Sequence, residues 1–222
     1  MNAEFDPRQT PNGVYRPGKK RDENLLRIMD AAEVLFVEKG FRGASLQAIA
    51  DAAGLPKANV HYYFRSKANL YQAVLDRIVE MWNSEFSQVS PQDDPAQALE
   101  HFIREKVQLS WTHRHASKLF ALEVISGAPY LGDYMQMRMR PWVADRARVI
   151  QQWIDEGKMA EVDPVQLIFM IWSTTQHYAD FDQQVLTVMN KRDYTRADMQ
   201  RVGDFLTHMI LSGCGLQNER DK

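Results

Sequence analysis

Six side chains with hydrogen-bond donors fall within a short segment in the first third of the chain. They are Lys57, Asn59, His61, Tyr62, Tyr63 and Lys67. The first three can donate to acceptors on base edges in the major groove of DNA, and an asparagine can also pair with adenine. The tyrosines and the second lysine carry donors suited to phosphate oxygens. The segment therefore has the chemistry of a helix that reads one groove of a duplex.

Two short predicted helices position this segment. Ser45 can cap a helix over 46–53, which a glycine ends. Pro56 then begins a compact helix over 57–63, after a turn of only a glycine and a leucine. This is helix-turn-helix spacing. Arg42 and Ser45 precede the first of these helices, where backbone amides and side chains could hold a further phosphate.

A longer helix is predicted on each side of this pair. Apolar residues recur every three or four positions from Asp22 to Gly40, where a glycine can end the helix. Ser66 can cap a fourth helix, which we expect to continue to about Val89. Two adjacent tyrosines on a helix point about 100° apart, so both cannot be buried in so small a unit.

The composition fits an ordinary globular protein and excludes several classes. The 222 residues are 45% hydrophobic and 25% charged, and no apolar stretch approaches the roughly 18 residues that could span a membrane. The N-terminal segment lacks the apolar region of a signal peptide, so we expect a cytoplasmic protein. The lone Cys214 cannot form an internal disulfide and is expected to pack in the core.

Charge is unevenly divided along the chain, although the formal net charge is only −2. Residues 1–67 hold 11 Lys or Arg against 8 Asp or Glu, which is +3, and the remainder holds 16 against 21, which is −5. A basic front suggests contact with a polyanion. Residues 1–21 end in the basic cluster Lys19, Lys20 and Arg21 and are predicted to be a mobile arm that either reaches DNA or stays solvated.

Every segment beyond Pro95 has the apolar spacing of a helix, so the predicted fold class is all-α. The expected helices cover 95–113, 116–127, 131–157, 163–190 and 195–213. Pro141 should kink or divide the third of these, because it removes a backbone hydrogen bond and clashes with the preceding turn. The last helix carries an apolar stripe that could pack against a second copy of the chain or against the core of its own subunit. The stripe is Met199, Val202, Leu206, Met209, Ile210 and Gly213.

The sequence from Arg42 to Leu70, RGASLQAIADAAGLPKANVHYYFRSKANL, resembles the DNA-binding region of the TetR family of bacterial regulators. The likeness rests on the short helix, the Gly-Leu-Pro turn, the aromatic run and the Ser-Lys pair before Leu70. It implies a three-helix head over 22–67 and a larger helical body over 68–222 that binds an effector and dimerises. It also implies a homodimer on double-stranded operator DNA, with the tyrosines and Lys67 as phosphate clamps.

A second group of polar side chains lies on the predicted helix over 163–190. The apolar run at 167–172 is followed by polar residues, which must be paired or must face a cavity or a neighbouring subunit. This segment, LIFMIWSTTQHYADF, together with LFALEVISGAP at 119–129, resembles the pyrimidine-utilisation repressors of the same family. The resemblance implies a pyrimidine effector such as uracil or thymine. The expected ligand-binding residues are Trp82, Trp172, Gln176, His177 and Asp180.

A flat imide ring would suit these residues. The Gln176 carboxamide offers one acceptor and one NH₂ group to the imide edge, and Trp82 or Trp172 offers a stacking face. Asp180 or His177 could take the remaining N–H. As alternatives, Trp172 could belong to the core, and His177 could be a core histidine or a dimer contact.

Other functions leave weaker signals. We expect neither an enzyme nor a cofactor, because the sequence holds no Gly-rich phosphate loop, nucleophile elbow or metal-spaced cluster. A zinc-dependent regulator would have to use His101, His113, His115 or His177. The main alternative to a pyrimidine sensor is a regulator of the same family that responds to another apolar or aromatic effector, such as a drug or a lipid.

Overall fold

The computed structural model describes residues 17–82 and 86–217, and of residues 17–20 only the backbone is described. Over these ranges the chain forms helices and no strand, which confirms the all-α prediction. The helices are α1 (Pro17–Gly43), α2 (Leu46–Ala52), α3 (Lys57–Phe64), α4 (Lys67–Trp82), α5 (Pro95–Thr112), α6 (Arg114–Ile125), α7 (Gly132–Tyr134), α8 (Arg140–Asp155), α9 (Pro164–Asp180), α10 (Asp182–Val188) and α11 (Arg196–Gly213). A 3₁₀ turn lies at Phe86–Gln88 and a π-helical turn at Met135–Met139.

Helices α1 to α4 surround one apolar core at the N-terminal end of the described chain, and part of α6 packs into the same core. Burial of an Ile, Leu or Phe side chain stabilises a fold by about 1.5–3 kcal/mol, so this core fixes the four helices relative to one another. The Arg27 guanidinium adds a polar link from α1 to the end of α2, because it donates to the carbonyl oxygen of Ala53 at 2.6 Å. The core residues with no exposed surface are Ile28, Ala32, Phe36, Ile49, Ala50, Val60, Leu70, Val74 and Leu75.

The ends of these helices follow the predicted signals. Gly40 has a φ of 67°, the left-handed conformation that a glycine adopts without strain, and breaks α1 before one further turn. The Ser45 hydroxyl caps α2, and the Ser66 hydroxyl accepts a hydrogen bond from the N–H of Asn69 at 3.1 Å in the first turn of α4. Helix α1 begins earlier than predicted, so residues 17–21 of the expected arm are helical. Residues 1–16 of that arm lie outside the described residues.

The second core lies in the body, where α5 packs against α9 and α11, and α8 packs against α9. Trp153 of α8 is fully buried there, and its indole N–H donates to the carbonyl oxygen of Pro91 at 3.1 Å. Cys214 is buried with 1% of its surface exposed, as predicted, and burial raises the pKa of its thiol to about 11. None of the helices in the described ranges is long and apolar enough to cross a membrane.

The predicted fourth helix is shorter in the structure. Helix α4 ends at Trp82, and Phe86–Gln88 forms a 3₁₀ turn, so the predicted continuation to Val89 is wrong. The reason is tertiary: the Arg146 guanidinium takes the carbonyl oxygens of Phe86 and Val89, and the Phe86 ring stacks on Phe102 at 4.3 Å.

The predicted helix over 163–190 divides into α9 and α10 at Phe181, whose φ of −115° is not helical. The predicted helix over 131–157 also divides, as the proline rule requires. Pro141 lies in the first turn of α8, directly after the π-helical turn, where its missing N–H costs little.

The apolar stripe predicted for dimerisation is split between two environments. Met199, Leu206 and Ile210 are buried in the core of the subunit, which bears out the alternative reading for these residues. Met209 is 55% exposed, and Phe205, which lies four residues earlier on the same face of α11, is 58% exposed. The exposed apolar surface of α11 therefore combines Met209 of the predicted stripe with Phe205, which was not part of it.

Candidate nucleic-acid interface and ligand cavity

Helix α3 buries one face and exposes the other. Val60 and Phe64 point into the core with 0% and 7% of their surface exposed, which fixes the helix along that side. Lys57 and His61 are exposed, and Asn59 is half-buried. The three side chains predicted to read bases therefore lie on or beside the solvent face of α3, within its first two turns.

The two adjacent tyrosines of α3 have different surroundings. Tyr62 is 73% exposed, whereas Tyr63 is half-buried and its hydroxyl donates to the backbone carbonyl of Arg21 at 3.4 Å. Their rings meet edge to face with centroids 5.3 Å apart. The prediction that both cannot be buried is confirmed, and Tyr63 links α3 to the N-terminal part of α1.

The side chains of Lys67 and Ser45 contact the protein backbone. The Lys67 ammonium donates to the carbonyl oxygens of Ala44 at 2.9 Å and Arg42 at 3.3 Å. The Ser45 hydroxyl oxygen accepts from the N–H of Ala48 at 3.1 Å. Both groups thus stabilise the junction between α1 and α2, next to the exposed side chain of Arg42. Their contacts with phosphate stay predictions.

Arg65 is a further basic residue at this surface that the sequence pattern did not reveal. It ends α3 with a φ of 55°, a left-handed conformation that residues other than glycine rarely adopt. Its N–H donates to the carbonyl oxygen of His61 at 2.9 Å, and its side chain is exposed. Arg65 therefore adds a cation at the end of α3, next to the start of α4.

A cavity of about 270 Å³ lies in the body, between α4, α5, α6, α8, α9 and the segment that includes the π-helical turn. Its walls include two stacked aromatic pairs: Trp82 with Phe120 at 6.4 Å, and Trp142 with Trp172 at 5.8 Å between ring centroids. These faces suit a planar ligand. The remaining lining residues are Val79, Lys106, Val124, Tyr134, Met135, Met139 and Gln176.

Three of the five predicted ligand-binding residues line this cavity: Trp82, Trp172 and Gln176. Trp172 and Gln176 are four residues apart on α9 and therefore share one helix face. His177, the next residue, is turned about 100° away from that face. It is exposed on the outer side of α9, where its ring stacks on Phe181 at 5.2 Å. His177 is thus outside the cavity wall, which corrects its predicted role.

Asp180 is the second predicted ligand residue that lies outside the cavity wall. Its carboxylate accepts a hydrogen bond from the Ser117 hydroxyl at 2.5 Å and so joins α9 to α6. Burial raises the pKa of this carboxyl, while the Ser117 hydrogen bond and the charge of Lys118 oppose the rise. The predicted ligand contact is therefore replaced by a contact between two helices.

The cavity wall contains a buried lysine, Lys106, that was absent from the predicted set. Only 5% of its surface is exposed, and its ammonium lies 4.2 Å from the centroid of the Trp82 ring. It donates to the Trp82 carbonyl oxygen at 3.4 Å, and no carboxylate of the described residues forms an ion pair with it. Burial lowers the pKa of Lys106 to about 7, although the charge of neighbouring Glu105 favours the protonated form.

Trp82 brings a second unsatisfied donor to the same region. Its indole Nε1 is buried and has no hydrogen-bond partner among the described residues. A buried N–H without a partner costs about 1–3 kcal/mol, and this atom, with less than 1 Å² of exposed surface, is not open to the cavity. With the Gln176 NH₂ group, the residues at the cavity supply more donors than acceptors.

A buried carboxylate connects the wall of this cavity with the N-terminal core. Glu123 of α6 is 3% exposed and accepts hydrogen bonds from the Tyr71 hydroxyl of α4 at 3.0 Å and from the backbone N–H of Tyr130 at 2.6 Å. Burial, followed by the charge of Glu123, raises the pKa of Tyr71. The ring of Tyr130 in turn lies 5.3 Å from the ring of Phe41. Glu123 therefore joins α6, α4 and the segment that leads into the cavity-lining turn.

The alternative of a zinc-dependent regulator receives no geometric support. Within the part of the chain that the structure describes, no three His, Cys, Asp or Glu side chains gather closely enough to hold a metal ion. His113 instead lies 2.8 Å from the hydroxyl of Thr112 at the junction of α5 and α6.

Known proteins resemble both halves of the chain. Residues 28–74 match the sequence profile described as "Bacterial regulatory proteins, tetR family", and residues 75–217 match that of the "YcdC-like protein, C-terminal region". The HTH-type transcriptional regulator RutR of Escherichia coli K12 is 40% identical over 161 residues, which are 72% of this chain and 76% of RutR. The HTH-type transcriptional activator FasR of Mycolicibacterium smegmatis is 39% identical over 80 residues, 35% of this chain and 36% of FasR.

Solved structures of regulators share the fold at low sequence identity. A transcriptional regulator of the TetR/AcrR family from Thermobifida fusca has a TM-score of 0.59 at 22% identity, covering 86% of this chain and 98% of that one. AibR in complex with isovaleryl coenzyme A and operator DNA has a TM-score of 0.63 at 17% identity, covering 84% and 97%. At these identities the comparison establishes the fold alone.

Proposed function

This chain belongs to the TetR family of bacterial DNA-binding transcriptional regulators, and we propose that it is a repressor that responds to a pyrimidine such as uracil or thymine. The observation that carries the ligand class is the cavity of about 270 Å³ in which stacked indoles and the Gln176 carboxamide face one space. The 40% identity to RutR and the resemblance of residues 119–129 to pyrimidine-utilisation repressors support it.

The proposed DNA contact is made by the exposed face of α3. In the major groove, Lys57, Asn59 and His61 would meet base edges, while Tyr62 and Tyr63 at the end of the helix would meet phosphates. The support is the exposure of Lys57, His61 and Tyr62, with Asn59 and Tyr63 half-buried beside them. The remaining phosphate contacts are assigned to Arg42, Ser45 and Lys67; a lysine ammonium has three donors, of which two contact backbone carbonyls here.

A homodimer is proposed through the outer faces of α9 and α11. Phe205 and Met209 on α11 are 58% and 55% exposed, and Phe181 after α9 is 52% exposed. An exposed apolar surface of this kind is typical of a protein interface. His177 lies on the same outer face and is assigned to this interface, as the sequence alternative allowed. Two recognition helices could then reach half-sites about 34–36 Å apart.

The cavity size favours a single ring. Its volume of about 270 Å³ lies below the roughly 300–1,000 Å³ that is usual for drug-sized ligands. A pyrimidine would stack on an indole face of the cavity wall, and the Gln176 carboxamide would pair with the imide edge through its acceptor and its NH₂ group. Gln176 and Trp172 share one face of α9, so both can contact the same ring.

Helix α4 is the proposed lever between the two sites. It begins at Lys67, against the junction of α1 and α2, and ends at Trp82 in the cavity wall. A ligand that tilts α4 would change the spacing between the recognition helices of the dimer. A coupling of about 1–3 kcal/mol would weaken DNA binding about 5- to 150-fold.

Titration calorimetry with uracil and thymine tests this function, with adenine and a hydrophobic dye as ligand controls. The variant is Gln176→Ala, and the matched control is Gln166→Ala, which removes the same side chain from the exposed face of α9. Saturable pyrimidine binding that only Gln176→Ala abolishes is the expected result. Tight dye binding without pyrimidine heat would contradict it and favour the alternative of another apolar effector.

A further inference from the structure

Among the described residues that line the cavity, Lys106 is the one with a charged side chain. It is surrounded by aromatic rings, with its ammonium 4.2 Å from the Trp82 centroid and 5.7 Å from the Phe102 centroid. A buried ammonium is costly unless a counter-charge or several acceptors compensate for the lost water. Its one hydrogen bond here, to the Trp82 carbonyl at 3.4 Å, is long. The described residues therefore leave this charge largely uncompensated.

The neighbouring polar groups point to the chemistry of the missing partner. The Lys106 ammonium makes one hydrogen bond to the described residues, so it has donors left for a ligand. A ring that presents an exocyclic amino group to these donors would offer them no acceptor. A ring oxygen that carries negative charge would instead accept from the ammonium and neutralise it.

We propose that Lys106 selects a planar dioxo-heterocycle that binds as its anion, with negative charge on the edge facing the ammonium. The ring has two N–H groups: the one between the carbonyl groups stays paired with the Gln176 acceptor, and the other, which is acidic because it is next to a carbonyl group, releases its proton to the solvent. The inference rests on the proposed function and specifies that its pyrimidine binds as an anion.

Uracil and 5-fluorouracil separate a charged from a neutral ligand, because they are similar in size and differ in acidity. Fluorine withdraws electrons, so it makes the carbonyl oxygens weaker acceptors in the neutral ring but makes the anion easier to form. A neutral ligand would therefore bind more weakly when fluorinated. The proposal predicts tighter binding of 5-fluorouracil, by up to about tenfold for each pKa unit by which it is the more acidic ring.

Calorimetry on the full-length protein, Lys106→Met and the remote control Lys158→Met measures this preference. We expect the wild type and Lys158→Met to prefer 5-fluorouracil, and Lys106→Met to lose the preference. If the wild type binds 5-fluorouracil no more tightly than uracil, the proposal is overturned, whether or not Lys106→Met folds. It is also overturned if Lys106→Met still prefers 5-fluorouracil. In those cases the proposed function still holds if uracil binds. If neither ring binds, the proposed function and the inference about Lys106 are both overturned.

Discussion

Lys106→Met should stabilise the ligand-free protein at neutral pH, and this advantage should shrink as the pH rises. Burial lowers the pKa of Lys106 from 10.5 to about 7. Below pH 7 both the folded and the unfolded chain hold the proton, so the full cost of the buried charge is present. Between about pH 7 and 10.5 the unfolded chain binds the proton that the folded chain has released, so the stability contribution of Lys106 rises with pH.

The size of this effect follows from the proton linkage. Between about pH 7 and 10.5, each pH unit changes the difference in unfolding free energy between wild type and Lys106→Met by up to about 1.4 kcal/mol. A typical domain has a total stability of about 5–15 kcal/mol, so the effect is large enough to measure. Burial raises the pKa of Tyr71 and Cys214, but those groups are present in both proteins and cancel in the difference.

Urea unfolding at about pH 6.5, 7.5, 8.5 and 9.5 measures the two free energies. Lys158→Met serves as the control, because that lysine is partly exposed, pairs with Glu156 at 2.8 Å and does not line the cavity. A free-energy difference between wild type and Lys106→Met that stays constant over this range, or a methionine variant that is less stable at pH 7, would refute the argument that Lys106 is a desolvated and unpaired cation.

Three other changes probe the frame of the protein and the DNA surface. Tyr71→Phe removes the hydroxyl that donates to buried Glu123 and should lower the free energy of unfolding in urea by about 1–3 kcal/mol. Tyr130→Phe should lower it by less, because the backbone N–H of residue 130 still donates to Glu123. Ser45→Ala removes the cap of α2 and should cost about 0.5–2 kcal/mol, measured in the same way. Asn59→Ala should weaken binding to a selected operator by about 1–3 kcal/mol in fluorescence anisotropy while leaving binding to random duplex DNA nearly unchanged.

Each of these three expectations has its own contradicting result. Equal losses in Tyr71→Phe and Tyr130→Phe would show that the hydroxyl bond to Glu123 contributes no more than the rest of the aromatic cluster. An unchanged stability of Ser45→Ala would remove its role as a cap. If Asn59→Ala weakens binding to operator and random DNA alike, Asn59 contacts phosphate rather than a base.

The helix-turn-helix region could be predicted from sequence because its signals are local. Ser45 and Ser66 cap the helices that follow them, and Pro56 precedes the first residue of α3. Gly54 has a φ of 62°, which its residue type permits without strain. Each of these choices depends on a few neighbouring residues, so the pattern alone determines the elements and their order.

The limits of the body helices depended on distant partners and could not be read from periodicity. No residue near Val89 in the sequence indicates that the Arg146 guanidinium will donate to the carbonyl oxygens of Phe86 and Val89. The same is true of Asp180, whose partner Ser117 lies on another helix. For His177 the helical period did contain the answer, since it is one position beyond Gln176 and so faces away from the cavity.

Lys106 had a sequence signal that was available. It falls on the apolar register of α5, between the buried Ile103 and Val107, where a lysine is unusual. A charged residue at an inward position indicates either a buried ion pair or a binding site. Only the three-dimensional arrangement shows which, because it places Trp82 and the cavity beside the ammonium, and no described carboxylate forms an ion pair with it.

The most direct test of the central claim is the affinity for a selected operator duplex with and without saturating uracil. Fluorescence anisotropy would be recorded for the wild type, Gln176→Ala and Gln166→Ala. The account predicts that uracil weakens operator binding about 5- to 150-fold in the wild type and in Gln166→Ala, and has no effect in Gln176→Ala. An operator affinity that uracil leaves unchanged in the wild type, or changes equally in all three proteins, would contradict it.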